Sequence, residues 1–166
     1  MAFNEQLTNL AKRALETAKG TNRSIVTAES CTAGKLSGLL SEAPGASALL
    51  HGGFVAYTKE NKSRALGVST ELLRDKSAVC VDVAVAMAQG ALARSPANVA
   101  VAITGVAGPE PDEDGNPVGR VCIAVAREGA SPVRIENRYG DIGHDTIQER
   151  AMMDALNALI DAMNKQ

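Results

Sequence analysis

The chain has 166 residues, the size of one domain, and a chain of that length buries roughly 70% of its unfolded surface, so it needs neither disulfide nor metal to fold. Its 17 Lys and Arg against 19 Asp and Glu leave a net charge of −2, and with scattered basic residues, two Phe, two Tyr and no Trp there is no charged stripe or stacking platform for nucleic acid. The three cysteines (Cys31, Cys80 and Cys122) are odd in number, far apart and free of any Cys-x-x-Cys pair, which argues against a disulfide framework or zinc site and fits reduced thiols in a cytoplasm.

Residues 4–19 place Leu7, Leu10, Ala11, Leu15 and Ala18 at helical spacing, with Gly20 as a stop. This opening helix is amphipathic rather than continuously apolar, so it is no signal peptide, and no later stretch approaches the roughly 20 apolar residues of a membrane span. Residues 24–28 (SIVTA) read as a strand that turns into a helix from Thr32 to Leu40, ended by Pro44-Gly45. Residues 50–57 (LHGGFVAY) read as a strand, with Gly52-Gly53 marking a bulge or close backbone approach. Helical pieces follow at 59–66 and 70–76, and 79–94 is a helix apolar on most sides, hence buried. Residues 98–104 (NVAVAIT) form a near-continuous apolar strand covered on both faces. A Gly-, Pro- and acid-rich loop spans 105–117, strands at 118–126 and 132–139 form a hairpin around residues 127–130, and a helix closes the chain from His144 to Asn164. The pattern predicts a single α/β domain over residues 1–166: a three-layer α/β/α sandwich around a mixed, mostly parallel sheet, with an antiparallel hairpin toward the C-terminal end.

Three strand ends combine polar residues with glycine, and in open α/β sheets the ligand crevice lies at such ends. The first is Thr27-Ala28-Glu29-Ser30-Cys31-Thr32-Ala33-Gly34, where Ser30 is a candidate nucleophile and the amides around residues 31–34 are candidate oxyanion donors. Here Ser30 or Thr32 equally suits a simple helix cap, and Cys31 is a rival nucleophile because helix N-termini lower thiol pKa values. The second is Tyr57-Thr58-Lys59-Glu60-Asn61-Lys62. A serine needs a base, and only His51 and His144 could supply a histidine, so Lys62, with Lys59 as competitor, is the candidate if burial lowers its pKa. The third is Thr104-Gly105-Val106-Ala107-Gly108-Pro109, whose glycines let backbone approach a ligand closely. The acidic residues Glu110, Asp112, Glu113 and Asp114 lack calcium-loop spacing, and no metal or cofactor is expected. Arg134, Arg138 and Arg150 are positive groups available to meet a phosphate.

Together the segments TAESCTAGKLSGLLSEAPGAS (27–47), GGFVAYTKENKSRALGV (52–68), VAITGVAGPE (101–110) and PVGRVCIAVA (117–126) resemble the CinA C-terminal domain family, which includes stand-alone nicotinamide mononucleotide deamidases. The resemblance implies a serine amidohydrolase with a Ser–Lys dyad, acting without metal on the carboxamide of a nucleotide substrate in pyridine nucleotide recycling. It assigns Ser30 as nucleophile and Lys62 as base, with Tyr57, Thr104 and Arg150 at polar positions of the same pocket, while the turn with Cys31, Thr32 and Gly34 and the loop with Gly105 and Gly108 are candidate substrate-binding positions through their backbone amides. Two departures stand out: Ala33 where the family usually has glycine, and Cys80 where serine is usual. No nucleic acid or membrane partner is expected, and the helix at 79–94 and the strand at 132–139 offer surfaces for a homodimer. The alternatives are a non-catalytic nucleotide- or protein-binding module linked to competence or DNA damage, and an amidase for another small amide.

Overall fold

The computed structural model describes residues 2–166. Its elements in chain order are α1 (Glu5–Gly20), β1 (Ile25–Glu29), α2 (Lys35–Ser41), α3 (Ala46–Leu49), β2 (Leu50–Val55), α4 (Lys59–Leu66), α5 (Thr70–Lys76), α6 (Val81–Ala93), β3 (Val99–Gly105), β4 (Arg120–Arg127), β5 (Val133–Arg138) and α7 (His144–Asn164). One five-stranded sheet has the order β2-β1-β3-β4-β5. The segment β2-β1-β3 is parallel, and β4 and β5 run antiparallel as the C-terminal hairpin. The sheet is therefore mixed, with its parallel part confined to the first three strands.

Alternation along the strands separates two cores. Ile25, Val99, Val101, Ile103, Val121, Ile123 and Val125 face α1, α2 and α7. The intervening residues Ala28, Ala100, Ala102, Ala124 and Ala126 face α6. Bulky side chains hold one helical layer away from the sheet, and methyl groups let the other come close. The apolar helix expected at 79–94 is α6, whose buried residues Val83, Ala84, Met87, Ala88 and Ala91 lie against this alanine face.

Boundaries moved where local chemistry overrides periodicity. The helix expected from Thr32 begins at Lys35, because Ala33 and Gly34 take positive φ (+49° and +91°) and residues 31–34 form a tight turn. The strand expected at 118 begins at Arg120, because Gly119 (φ +90°) packs against the backbone of Gly140 too closely for any side chain. The single-turn helix α3 falls between the elements expected from the sequence.

Candidate active site

The carboxyl ends of β1 and β3 and the start of α4 enclose a cleft of about 540 Å³ lined by Ser30, Tyr57, Lys62, Thr104, Gly105 and Gly108, among others. That size suits a small organic ligand. Ser30 follows β1, and its amide donates to the Ile103 carbonyl (2.9 Å), tying it to the neighbouring strand. Lys62 sits on α4, which Thr58 caps by accepting the Asn61 amide (3.0 Å). The Asn61 side chain donates to the Val55 carbonyl (2.9 Å), which pins the segment between β2 and α4.

This scaffold places Lys62 Nζ 2.8 Å from Ser30 Oγ, with Lys62 1% and Ser30 6% exposed. Lys62 Nζ also donates to the carbonyls of Ala56 and Tyr57, each at 3.2 Å. Carbonyl oxygens only accept, so in the neutral amine the two hydrogens go to them and the lone pair is left for Ser30. In the ammonium form the third hydrogen goes to Ser30 Oγ, so both protonation states are hydrogen-bonded. Burial pushes the Lys62 ammonium down to about 8.

The competitors are occupied or inert. Lys59 pairs with Asp114 (2.8 Å) and Glu113 (3.4 Å), and the hydrogen bond to Asp114 raises its pKa. Burial pushes the Cys31 thiol up to about 12, the opposite of an activated nucleophile. His51 lies exposed on β2, outside the cleft lining, whereas His144 lines the cleft with its Nδ1 3.2 Å from the Gly108 carbonyl oxygen.

Other sequence-selected residues separate. Tyr57 reaches the pair through its main-chain oxygen, which also accepts from Ser30 Oγ (3.3 Å), while its ring is 65% exposed at the rim. Thr104 lines the cleft and donates from Oγ1 to the Ala78 carbonyl (2.8 Å). Gly105, Gly108 and Cys31 also line the cleft. Thr32 is fully buried, and its hydroxyl has no hydrogen-bond partner among the described residues, so its side chain caps no helix there. Gly34 faces Val55 and Glu29 in a different cavity. Arg150 is exposed on α7 and lies outside the cleft lining. Arg134 is taken by Asp82 and Arg138 by Glu136, so neither is a free anion ligand.

The amides at the start of α2 also differ from expectation. The Ser37 amide donates to Glu29 Oε1 (3.2 Å), and the nearby amides of Leu36 and Gly34 also favour the ionised carboxylate. The amides next to Ser30 in the turn, of Cys31 and Thr32, are not drawn into it.

Sequence reading gave Asn61 no role within its segment and missed the buried Gln148, whose Nε2 donates to the Cys31 carbonyl (2.7 Å) and whose Oε1 accepts from Lys35. A polar residue between Ile147 and Ala151 on the apolar face of the last helix was the available signal for Gln148. Among the described residues, no group of three or more His, Cys, Asp or Glu is arranged to hold a metal ion. No helix among them is long and apolar enough to cross a membrane.

The fold and the cleft define an α/β domain with a buried serine–lysine pair at the carboxyl edge of its parallel strands. The CinA C-terminal domain model matches residues 7–163, and the chain belongs to that family. It is 47% identical over 137 residues to a CinA-like protein of Mycolicibacterium vanbaalenii, covering 82% of this chain and 32% of the relative. A CinA-like protein of Mycobacterium marinum is 42% identical over 145 residues, covering 87% of this chain and 34% of the relative. The chain thus spans about a third of the length of these relatives. Among solved structures, the competence/damage inducible protein of Agrobacterium tumefaciens superposes with TM-score 0.94 at 41% identity, covering 99% of both chains. A CinA superfamily protein of Escherichia coli superposes with TM-score 0.90 at 33% identity, covering 98% of this chain and 94% of the other.

Proposed function

We propose that the chain is a serine amidohydrolase that hydrolyses the carboxamide of nicotinamide mononucleotide to nicotinate mononucleotide and ammonia. The observation that carries the reading is the buried contact of Lys62 Nζ with Ser30 Oγ at 2.8 Å in the cleft. A lysine whose pKa burial has brought to about 8 is partly neutral near pH 7 and can accept a proton.

In the reaction, neutral Lys62 takes the Ser30 hydroxyl proton as Oγ bonds to the carboxamide carbon. The amides of Cys31 and Thr32, next in the chain after Ser30, serve as donors to the oxyanion, and one such donor is typically worth about 3–4 kcal/mol. Lys62 returns the proton to the leaving nitrogen, the carbon–nitrogen bond breaks, and ammonia departs. Water then attacks the ester, its proton going to Lys62, and the same lysine restores the Ser30 hydroxyl as the carboxylate leaves.

Two features favour a pyridinium amide among small amides. Glu110, Asp112 and Glu113 line the cleft, and a carboxylate-rich wall suits a positively charged ring. The exposed Tyr57 ring at the rim offers a π face to the same charge. Purified protein incubated with nicotinamide mononucleotide should release ammonia, and Ser30→Ala should release none while keeping its circular dichroism. Turnover by Ser30→Ala would eliminate the serine mechanism. Affinity without product in the wild type would make the domain a binding module, and turnover of other amides alone would move the substrate.

A further inference from the structure

The opposite face of β1 carries a second cavity. Thr27 and Glu29 alternate with Ala28, so they point away from the Ser30 cleft and under α2. Both are 0% exposed. A cavity of about 290 Å³ lies over them, lined also by Ser37 and by Gly34, Gly38 and Gly53, and it shares no residue with the catalytic cleft. The glycine at 53 keeps it open, because a Cβ there would overlap the Thr27 hydroxyl and come within 2.9 Å of Ser37 Oγ.

Two buried oxygens, Glu29 Oε2 and Thr27 Oγ1, have no hydrogen-bond partner among the described residues. Buried polar atoms are nearly always partnered, so each such atom calls for a guest. The carboxylate is an acceptor and the hydroxyl can be one, so the guest must donate in more than one direction. No lysine or arginine lines the cavity to balance an ionised Glu29. A water would satisfy the hydrogen bonds of the neutral acid, but it would leave the ionised carboxylate without a balancing charge. A divalent ion would want roughly six or more oxygen ligands and more than the one carboxylate that lines the cavity.

We infer that this cavity is a second binding site, taking an ammonium ion or the head of a small primary alkylammonium, held between Glu29 Oε2 and the Thr27 hydroxyl. The ligand donates N–H to both oxygens and supplies the positive charge the carboxylate lacks. Burial otherwise pushes Glu29 up to about 7, partly offset by the amides of Ser37, Leu36 and Gly34, so without a cation its ionised form is held only weakly. Glu29 immediately precedes Ser30, and an occupied site firms the turn from which Ser30 projects. The site stands on the cavity alone and does not depend on the amidohydrolase reading, although ammonia is the coproduct of that reaction.

The test is thermal unfolding of substrate-free protein in ammonium chloride, methylammonium chloride, potassium chloride and sodium chloride at matched ionic strength. Ammonium should raise Tm above the sodium control by roughly 2–5 °C at about ten times Kd, whether or not the protein turns over any amide. Methylammonium acting as ammonium does identifies an amine head as a ligand, and ammonium acting alone identifies the free ion. The ammonium-dependent rise should vanish in Thr27→Val and in Glu29→Gln. Each variant is compared with itself in sodium, so a lower baseline Tm does not matter, and Thr27→Val carries the test if Glu29→Gln fails to fold. No rise over sodium, an equal rise with potassium, or a rise that survives in Thr27→Val would overturn the proposal.

Discussion

A lysine with 1% of its surface exposed costs stability as an ammonium and gains reactivity as an amine. If Lys62 is the base, kcat/KM rises with pH through about 8 and levels above it, because only the neutral amine accepts the Ser30 proton. Lys62→Arg removes the neutral state and should lower kcat/KM by about 10²–10⁴-fold at every accessible pH. A flat profile in the wild type would rule the lysine out. Stability moves in the same direction. The folded pKa of about 8 lies below the ordinary 10.5, so protons favour the unfolded chain. Stability contributed by this group is whole above 10.5, falls as pH drops toward 8 and stays low beneath it, by about 3 kcal/mol relative to Lys62→Met. Ala33 makes a separate case. It stands at φ +49°, where a Cβ is strained. Ala33→Gly should stabilise the protein by about 1 kcal/mol, read as a Tm increase of roughly 2–4 °C.

Elements position the pair through a few close contacts. Gly90 in α6 packs on the end of α4, where an added Cβ would overlap the Leu66 carbonyl oxygen. Helix propensity favours Gly90→Ala by about 1 kcal/mol. The clash is with backbone, which cannot swing aside, so the net effect should be destabilisation, by about 1–3 kcal/mol in a urea melt. Because α4 carries Lys62, kcat should fall with it while added substrate fails to restore the rate. These elements show what was legible. The periodicity of α1 and α7 comes from burial of one face, and the apolar runs of α6 and β3 from burial on most sides, which sequence records directly. The turn after β1 was not legible as built. Its Ser30 and Thr32 fit the rule for helix caps, yet Ser30 Oγ meets Lys62 and the Glu29 carboxylate accepts the Ser37 amide in the first turn of α2. Local rules cannot see a side chain that arrives from another strand or helix. Lys62 itself was one of two similar lysines in the sequence. Only tertiary packing buries one and pairs the other with Glu113 and Asp114.

At the scale of the molecule, charge is nearly balanced, so no global field steers a ligand and recognition rests on the local arrangement in the cleft. There the balance is uneven. Lys59 is neutralised by Glu113 and Asp114, Lys62 is buried, and Glu110 and Asp112 stand on the wall with no lysine or arginine salt-bridged to them among the described residues. On the proposed function, such a wall favours the oxidised pyridinium ring and gives nothing to an uncharged ring of the same shape. Reduced nicotinamide mononucleotide is that control: it keeps the ribose, phosphate and carboxamide and loses the ring charge. With Ser30→Ala, in which chemistry cannot intrude, the oxidised nucleotide should bind about 2–5-fold more tightly than the reduced one, the range expected of partly exposed charge pairs. Because the wall is solvent-accessible, the gap should narrow as salt rises toward about 0.5 M. Equal affinities at low salt would remove the carboxylates from substrate recognition. A gap that persisted undiminished at high salt would place discrimination in ring shape or stacking on Tyr57 rather than in charge.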